Sequence, residues 1–416
     1  DDTVPVEVIE MKAPELQGSD ADQYEIIDEK ITRRLAQRPG SYVVLEYHRP
    51  VVKHKPSQAL SSVPAPGAIL DKSLADVSLL VGLLTDKFLY HLPLYRQHQR
   101  MRDSGITLSR STLTHYVQRT IGLLEPIYQA QWRHTLQSRV LAMDETPVKA
   151  GRQGKGQMKT TWYWPIYGED DEVCFTWSQS RGTAHVIAQL GDFQGVLLSD
   201  GYAAYDRYAK NKPEVTQAQC WTHVRRYFER AKDSDPSANA ALEQIAALYQ
   251  VEAQIRKKGL AGEKKQAWRT QQAKPGVDAF FHWCHEQRQR MDLVNSDLLS
   301  KALVYAENHR AQLNVYLSDP DVPIDTNHLE RALRVIPMGR KNWVFNWTEV
   351  GAQQVGIIQS LLVTCRLHGV NPYTYLVDVL QRISLHPNRE IEELTPRRWK
   401  DKFAANPLRS DLYRLE

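Results

Sequence analysis

Residues 140–147 read VLAMDETP, in which four apolar residues lead directly into Asp144 and Pro147 limits further strand pairing. A short apolar run bounded in this way predicts a buried strand that presents a carboxylate at its exposed end. Residues 195–201, GVLLSDG, repeat the pattern around Asp200. Either segment alone is also compatible with a plain strand that finishes in an Asp–Gly turn. The fold therefore depends on whether the rest of the chain brings the two acids together.

The elements around these acids occur in a defined order. A strand, a basic loop, an antiparallel pair of strands, a helix, the second acid-tipped strand, a further strand and a final helix follow one another. We assign them to Val140–Asp144, Lys149–Lys159, Thr160–Tyr167 with Glu172–Trp177, Ala184–Leu190, Val196–Asp200, Val215–Cys220 and Thr222–Lys232. This order predicts an α/β protein whose core, residues 137–232 in its first part, is ribonuclease-H-like. Because the first and fourth strands are neighbours in that fold, Asp144 and Asp200 should meet.

The composition limits the class of protein. A chain of 416 residues predicts two to four domains, and 42% hydrophobic with 25% charged residues is typical of globular proteins. No apolar run approaches the ~18 residues that a membrane helix needs, so we expect no membrane partner. The four cysteines are widely spaced without a C-x-x-C pair, which favours a reducing compartment over a disulfide framework. The net charge of +4 is too small to identify a partner.

The N-terminal region, residues 1–69, predicts a small β element followed by a linker. Residues 1–23 are acidic and punctuated by Pro and Gly, so we expect them to be loosely ordered. Tyr24–Ile27 and Tyr42–Val52 are rich in β-branched and aromatic residues, which predicts two strands. The composition of residues 53–69 is that of a linker.

Residues 70–136 change to a helical period and form a possible DNA-binding domain. A first helix follows Leu74, a second begins near Pro93, and Ser109 can cap a third helix. The third helix starts with Arg110 and carries a regular apolar face of Leu113, Val117, Ile121 and Leu124. This arrangement is compatible with a helix-turn-helix that reads DNA, although most such groups of three helices are plain helical packing.

Residues 233–322 contain no acid-tipped strand and predict a helical insertion. Their middle, residues 256–274, carries seven Lys and Arg against one Glu. Such a stretch fits either a solvated helix face or a surface for nucleic acid or a partner. Residues 323–350 then begin a helix, and residues 351–416 predict a C-terminal helical element. Within that element, Asn371 followed by Pro372 predicts a helix that Asn371 caps. The tail after Pro387 is polar and basic, with no clear fold of its own.

Two carboxylates that meet repel each other unless a cation or a proton lies between them. Asp and Glu oxygens without nearby His or Cys favour Mg²⁺ or Mn²⁺ over zinc. A two-ion site suits in-line attack on a phosphodiester and needs a third carboxylate. Glu330 is the best candidate, because Asn327, Arg331 and Arg334 share its helical face. It is also compatible with an ordinary first-turn acid favoured by the helix dipole.

Three blocks in order resemble the DDE transposases of bacterial insertion sequences, most closely the insertion sequence 66 family. They are MDETP (143–147), LLSDGYAAY (197–205) and NHLERALR (327–334). Supporting blocks are similar to that family at HLPLYRQ (91–97), CWTHVRRYF (220–228) and GRKNWVF (339–345). The resemblance runs from about residue 70 to residue 390.

The resemblance implies that Asp144, Asp200 and Glu330 form a catalytic triad holding two Mg²⁺ or Mn²⁺ ions. It also implies that Cys220 and His223 support the active site, and we do not expect a zinc site there because two ligands are too few. Asn327 belongs to the signature around the glutamate. We expect DNA contacts from Arg110, Arg226, Arg331, Arg334, Arg340 and Lys341.

The reaction implied by the resemblance cuts the phosphodiester at the element's end with water, after which the freed 3′-OH attacks target DNA. The implied partners are the terminal inverted repeats, target DNA, at least a second copy of the chain and accessory proteins of the same element, at the nucleoid in the bacterial cytoplasm. Two alternatives remain: a ribonuclease-H-like nuclease without strand transfer, and a catalytically silent DNA-binding protein derived from a transposase.

The sequence also departs from the family. Family members usually begin with a leucine zipper and a Cys-rich zinc-binding element, whereas this chain has no cysteine before Cys174 and does not start with Met. We interpret residues 1–69 as a remnant of that region. Either the chain is truncated or this member has lost the zinc element.

Overall fold

The structure is a computed structural model that describes residues 5–38, 40–343 and 348–413, without the side chains of Lys341 and Trp343. The predicted DNA contact of Lys341 and the end of the GRKNWVF block therefore lie outside the described residues. The strands are β1 (Val6–Glu10), β2 (Tyr24–Arg38), β3 (Ser41–His54), β4 (Leu60–Ser62), β5 (Val140–Met143), β6 (Thr146–Gly154), β7 (Gln157–Tyr167), β8 (Val173–Ser178), β9 (Gly195–Ser199) and β10 (Val215–Gln219).

The helices before residue 270 are α1 (Val77–Phe88), α2 (Leu94–Asp103), α3 (Arg110–Thr135), α4 (Thr183–Leu190), α5 (Ala203–Lys210), α6 (Trp221–Ala231), α7 (Ala238–Lys258) and α8 (Gly262–Trp268). A π-helical turn, Arg269–Ala273, joins α8 to α9. The later helices are α9 (Lys274–Arg288), α10 (Leu298–Asn308), α11 (Arg310–Ser318), α12 (Asn327–Leu333), α13 (Val335–Trp343), α14 (Glu349–Leu367), α15 (Pro372–Arg382) and α16 (Pro396–Lys402). The chain is thus mixed α/β, and it divides into two compact units, Asp1–Gln131 with Met338–Glu416 and Trp132–Pro337.

The first unit contains a four-stranded sheet built on the long antiparallel hairpin β2–β3. Strand β1 pairs in parallel with β3, and β4 pairs with β3 in the antiparallel direction. One face is closed by Leu45 and Tyr47, which pack with Leu412 from the far end of the chain. Two expectations were wrong here: residues 1–23 were expected to be loosely ordered but contribute β1, and the expected linker contributes β4. Pairing with β3 satisfies backbone groups that composition alone does not reveal.

The helices of the first unit begin where the sequence predicts. Ser109 caps α3, since its Oγ accepts a hydrogen bond from the Thr112 N–H at 3.0 Å. Asn371 caps α15 in the same way, by accepting from the N–H groups of Tyr373 and Thr374. The prediction that the tail after Pro387 has no clear fold of its own is wrong. Helix α16 in this tail carries the buried Trp399, whose Nε1 donates a hydrogen bond to Asp378 at 2.8 Å.

The second unit is organised around a six-stranded sheet. Strands β5 and β6 lie in line along one edge of β7, while β8 pairs with its other edge. Strand β9 pairs in parallel with β5, from Val140 opposite Val196 to Ala142 opposite Leu198, and β10 pairs in parallel with β9. The order is therefore β10–β9–β5/β6–β7–β8, and the strands expected to be neighbours are hydrogen-bonded to each other.

The prediction of a basic loop between Lys149 and Lys159 is wrong. These residues belong to the hairpin β6–β7, in which Thr146, Val148 and Ala150 are buried and the intervening Pro147 and Lys149 are exposed. This two-residue alternation is a strand pattern that the cations and glycines obscured.

The helical insertion holds one buried cation at its centre. Arg269 is fully buried, and its Nε and Nη2 bind the two oxygens of Glu252 at 2.7 and 2.9 Å. Its Nη1 donates to the carbonyls of Tyr316, Asp319 and Val322. The basic stretch 256–274 is therefore not a uniform solvated or DNA-facing surface, because one of its arginines joins three segments of the insertion.

Arg269→Met should lower the free energy of unfolding by about 3–5 kcal/mol, because Glu252 would remain buried without its counter-charge. Denaturant titration followed by circular dichroism measures this loss. Lys264→Met, an exposed position on the neighbouring α8, is the matched control and should change the free energy by less than about 0.5 kcal/mol. Equal effects of the two substitutions would contradict the central role of Arg269.

Candidate active site

The carboxyl ends of β5 and β9 carry the two predicted acids. Asp144 follows Met143, the last residue of β5, and Asp200 follows Ser199, the last residue of β9. Because the two strands pair in parallel, both acids leave the sheet at the same edge. Oxygens of Asp144, Glu145 and Asp200 all lie within 4.8 Å of one another. The structure thus brings together Asp144 and Asp200 and adds Glu145, which the sequence analysis did not select.

The carboxylates of this group repel one another. Burial, together with the nearby charges of Asp200 and Glu145, raises the pKa of Asp144 to about 8. Burial also raises the pKa of Glu145. Glu330 contributes to the shift of Asp144 more weakly, so it lies within electrostatic range of the group.

Glu145 is already engaged by protein donors. Its Oε1 accepts hydrogen bonds from Nε of Arg181 at 2.8 Å and from Nη2 of the same side chain, and its Oε2 accepts from the Tyr205 hydroxyl at 2.7 Å. Both carboxylate oxygens therefore have partners before any ligand binds. Asp144 and Asp200 are left as the members of the group best able to bind a cation. No sequence signal separated Glu145 from an ordinary turn acid, since its partner lies 36 residues later.

A tight turn after β9 fixes Asp200. Its Oδ1 accepts the N–H of Tyr202 at 2.9 Å, and its carbonyl accepts the Tyr305 hydroxyl at 2.6 Å. Gly201 has φ +80°, and a Cβ there would lie 2.3 Å from Nε2 of Gln219. Gln219 itself donates to the Tyr305 hydroxyl at 2.7 Å. Glycine is therefore required by both the backbone conformation and the close approach.

Glu330 lies on α12 but outside the Asp144–Glu145–Asp200 group. Its Oε2 pairs with Nη2 of Arg226, while its Oε1 is buried without a hydrogen-bond partner among the described residues. Arg226, predicted to bind DNA, also contacts Nε2 of His223 at 3.0 Å. In this state Arg226 is engaged with the third predicted acid.

The Cys220 thiol joins the sheet to the segment that precedes α12. Its Sγ accepts hydrogen bonds from both the N–H and the hydroxyl of Thr326 at 3.3 Å. The next residue, Trp221, donates its N–H to the carbonyl of Ile324 at 3.1 Å. Cys220 is fully buried, and burial raises its pKa to about 11. Cys220 therefore helps to position the helix that carries Glu330, four residues beyond Thr326.

The remaining predicted residues have separate places. Asn327 bonds to Asp325 through its backbone N–H at 3.0 Å and its side chain at 2.5 Å, so in this structure it stabilises the start of α12. Helix α12 ends at Leu333, and Arg334 follows as its C-cap with helical backbone angles. Arg331 and Arg334 are exposed.

The other predicted DNA contacts lie in the first unit. Arg340 is half-buried on α13, and Arg110 lies over the Tyr95 ring, 5.8 Å from its centroid.

The donor set determines which ion the group would suit. Carboxylate oxygens at this spacing fit a hard divalent cation such as Mg²⁺ or Mn²⁺, and the charge repulsion at Asp144 is what such an ion would relieve. One further acidic group among the described residues, His386 with Glu390 and Glu393, is already paired with Arg389 and Lys402. Neither group contains a cysteine.

Paired carboxylates at the ends of adjacent parallel strands form a candidate site for a divalent cation. The profile of the Transposase IS66 family matches residues 72–354, and that of the IS66 C-terminal element matches residues 360–397. The chain belongs to the IS66 family of insertion-sequence transposases, which is one of the DDE transposase families. This confirms the resemblance drawn from the sequence blocks.

Relatives in Sinorhizobium fredii cover most of the chain. One, named "Uncharacterized protein y4hP", is 30% identical over 403 residues, which is 91% of this chain and 72% of that protein. A second, "Uncharacterized protein y4jD", is 30% identical over 354 residues, or 81% of this chain and 68% of its own length. Within the part of the chain that the structure describes, no helix is both long and apolar enough to cross a membrane.

A positive φ alone costs a residue with a Cβ about 1–2 kcal/mol. Gly201→Ala should lower the free energy of unfolding of the second unit by more than this, because Gln219 would also have to move. Thermal unfolding measures the effect. Gly156→Ala is the matched control, since Gly156 also has a positive φ, +73°, but its Cβ would meet nothing within 4 Å. If the two variants lose the same stability, the close approach beside Asp200 is not restrictive.

Proposed function

We propose that this chain is a DDE transposase that cleaves DNA at the ends of its element and joins the freed strands to target DNA. The observation that carries the proposal is the juxtaposition of Asp144 and Asp200 in a chain that belongs to the IS66 family. The proposed partners are the terminal inverted repeats and target DNA, with two or more copies of the chain and accessory proteins of the element. The protein would act at the nucleoid in the bacterial cytoplasm.

We propose a ribonuclease-H-like fold for the core. The strand order β10–β9–β5/β6–β7–β8, with β7 antiparallel to β5 and both β9 and β10 parallel to it, supports the proposal. The proposed core comprises residues 137–232 and 323–350, with 233–322 as its helical insertion. Residues 70–136 remain the candidate DNA-binding domain, and residues 1–69 and 351–416 the terminal elements.

Asp144 and Asp200 would hold two Mg²⁺ or Mn²⁺ ions, with Glu330 as the third acid. When bound, the ions neutralise charge on the attacking and leaving oxygens of the phosphodiester. The hydrogen bond from the Glu145 N–H to Oδ1 of Asp144 and the fixed turn at Asp200 would hold both carboxylates in place before DNA arrives. Oε1 of Glu330 has no hydrogen-bond partner among the described residues, which supports its role as a ligand, and Cys220 would act by positioning α12.

The basic side chains predicted from the sequence would bind DNA phosphates. Arg331 and Arg334 are exposed beside Glu330 and require no rearrangement. Arg226 would have to exchange Glu330 for a phosphate. Arg110 and Arg340, with Lys341, would contact DNA along the first unit. These contacts would set the position of the strand, while the acids would act on the bond that is cut.

Asp144→Asn, Asp200→Asn and Glu330→Gln should each reduce strand cleavage and joining to background while leaving DNA binding within a few-fold, because only the metal-holding charge is removed. The assay uses labelled DNA carrying the element's end, with Mg²⁺, Mn²⁺, Ca²⁺ or EDTA. Asp192→Asn, a fully exposed acid on the same unit, is the control and should keep activity.

The outcomes of this assay separate the three functions. Joined product that depends on Mg²⁺ and all three acids supports the transposase. Cleavage without joining identifies a nuclease, and DNA binding without cleavage under any metal identifies a silent relative. Cleavage retained by Asp144→Asn would contradict the proposed site.

Mn²⁺ binding should be visible without DNA. At 100 times its Kd, Mn²⁺ should raise the free energy of unfolding by about 2.7 kcal/mol in the wild type. The variant Asp144→Asn/Asp200→Asn should show no such shift, and without metal it should be at least as stable as the wild type because the carboxylate repulsion is gone. Thermal unfolding with and without Mn²⁺ measures both quantities, and an equal shift in the variant would place the ion elsewhere.

A further inference from the structure

Arg181, between β8 and α4, is held beside the acidic group by aromatic rings. Its guanidinium carbon lies 3.9 Å from the centroid of the Tyr202 ring and 5.1 Å from that of Trp162. The Tyr202 hydroxyl donates to the carbonyl of Arg181 at 2.6 Å, which fixes the backbone of the same residue. Both the plane and the position of the guanidinium are therefore restrained.

The hydrogen bonds of this guanidinium use only one of its edges. Nε and Nη2 donate to Oε1 of Glu145, whereas Nη1 has no hydrogen-bond partner among the residues that the structure describes. The side chain is 42% exposed although its carboxylate partner is 1% exposed. Arg181 thus presents a fixed, charged N–H donor to solvent at the margin of the Asp144–Glu145–Asp200 group.

Neutralising Glu145 does not by itself account for this arrangement. The Tyr205 hydroxyl already satisfies one Glu145 oxygen, and a single ammonium would satisfy the other. An arginine stacked on a ring differs from an ammonium because its planar guanidinium has further N–H donors on a second edge. The stacking fixes the direction in which these donors point. Since Glu145 lies within 4.8 Å of Asp144 and Asp200, that direction is defined relative to the proposed catalytic acids.

We propose that Nη1 of Arg181 binds a non-bridging oxygen of a DNA backbone phosphate next to the phosphate that is cut. The position of this phosphate next to the cut rests on the proposed function. The binding of a phosphodiester by Arg181 does not. A strand approaching three acids meets repulsion, and a preorganised arginine offsets it with little loss of side-chain entropy. A nucleobase is the weaker fit, because Arg181 itself covers the ring faces that a base would stack on.

The first test measures salt-dependent binding to a labelled mixed-sequence duplex by fluorescence anisotropy. Glu145→Gln keeps Arg181 and should leave the salt slope unchanged. The variant Glu145→Gln/Arg181→Gln avoids a buried unpaired carboxylate and should lower the magnitude of the slope by about 0.9, the value for one phosphate contact. Arg207→Gln, an exposed arginine on α5 without a described hydrogen bond, is the matched control and should not change it. Circular dichroism establishes that each variant is folded.

The second test locates the phosphate on element-end DNA carrying single neutral methylphosphonate linkages. One linkage beside the cleavage position should weaken binding to the Glu145→Gln protein and should have no further effect on Glu145→Gln/Arg181→Gln. An unchanged salt slope in the double variant, an equal loss in Arg207→Gln, or sensitivity to abasic sites instead of methylphosphonates would each overturn the proposal. Because both tests measure binding, a protein that fails to cleave DNA leaves them interpretable.

Discussion

The parallel pairing of β5 with β9 is the constraint on which the rest of the site depends. Three pairs of residues, from Val140 opposite Val196 onward, fix the register, and both strands are almost fully buried. Because consecutive residues are buried on both faces, a shift of one residue would exchange the side chains packed on the two faces of the sheet, so the register is strongly determined. The two chain segments following these strands must therefore leave the sheet side by side, and each begins with an aspartate. The repulsion between Asp144 and Asp200 follows from backbone hydrogen bonds made several residues away.

The helical insertion is part of the site as well as an interruption of it. Tyr305 of α10 donates to the carbonyl of Asp200 and stacks on Tyr227, with ring centroids 4.2 Å apart. Trp221, at the start of α6, donates its indole N–H to the carbonyl of Leu313 at 3.0 Å. The buried ion pair of Arg269 and Glu252 then connects the insertion helices to the segment leading towards α12. The insertion helices therefore help to position both Asp200 and the segment before the helix of Glu330. A substitution inside the insertion can consequently displace both acids.

Charge was the property least readable from the sequence. Arg269 belongs to a basic stretch yet is fully buried, and Arg226 pairs with Glu330, whereas Arg181 drew no attention and contacts the acidic group through Glu145. The reason is that the partner of each cation lies far along the chain, from 17 residues for Arg269 to 104 for Arg226. Local composition indicates how many charges are present, but only the packed structure shows which of them are compensated.

The sequence by itself determined the acid-tipped strands, the caps of α3 and α15, the buried helical faces and the family, because hydrophobic period, capping side chains and ordered motifs are local properties. It missed β1, β4, the β6–β7 hairpin and the packed tail around Trp399, whose stability comes from partners distant in sequence. Only the tertiary structure decided that Glu145 joins the group of Asp144 and Asp200, that Cys220 holds the segment before α12, and that Glu330 faces Arg226. These are contacts between elements, and their geometry is set by how strands and helices pack, which no single segment encodes.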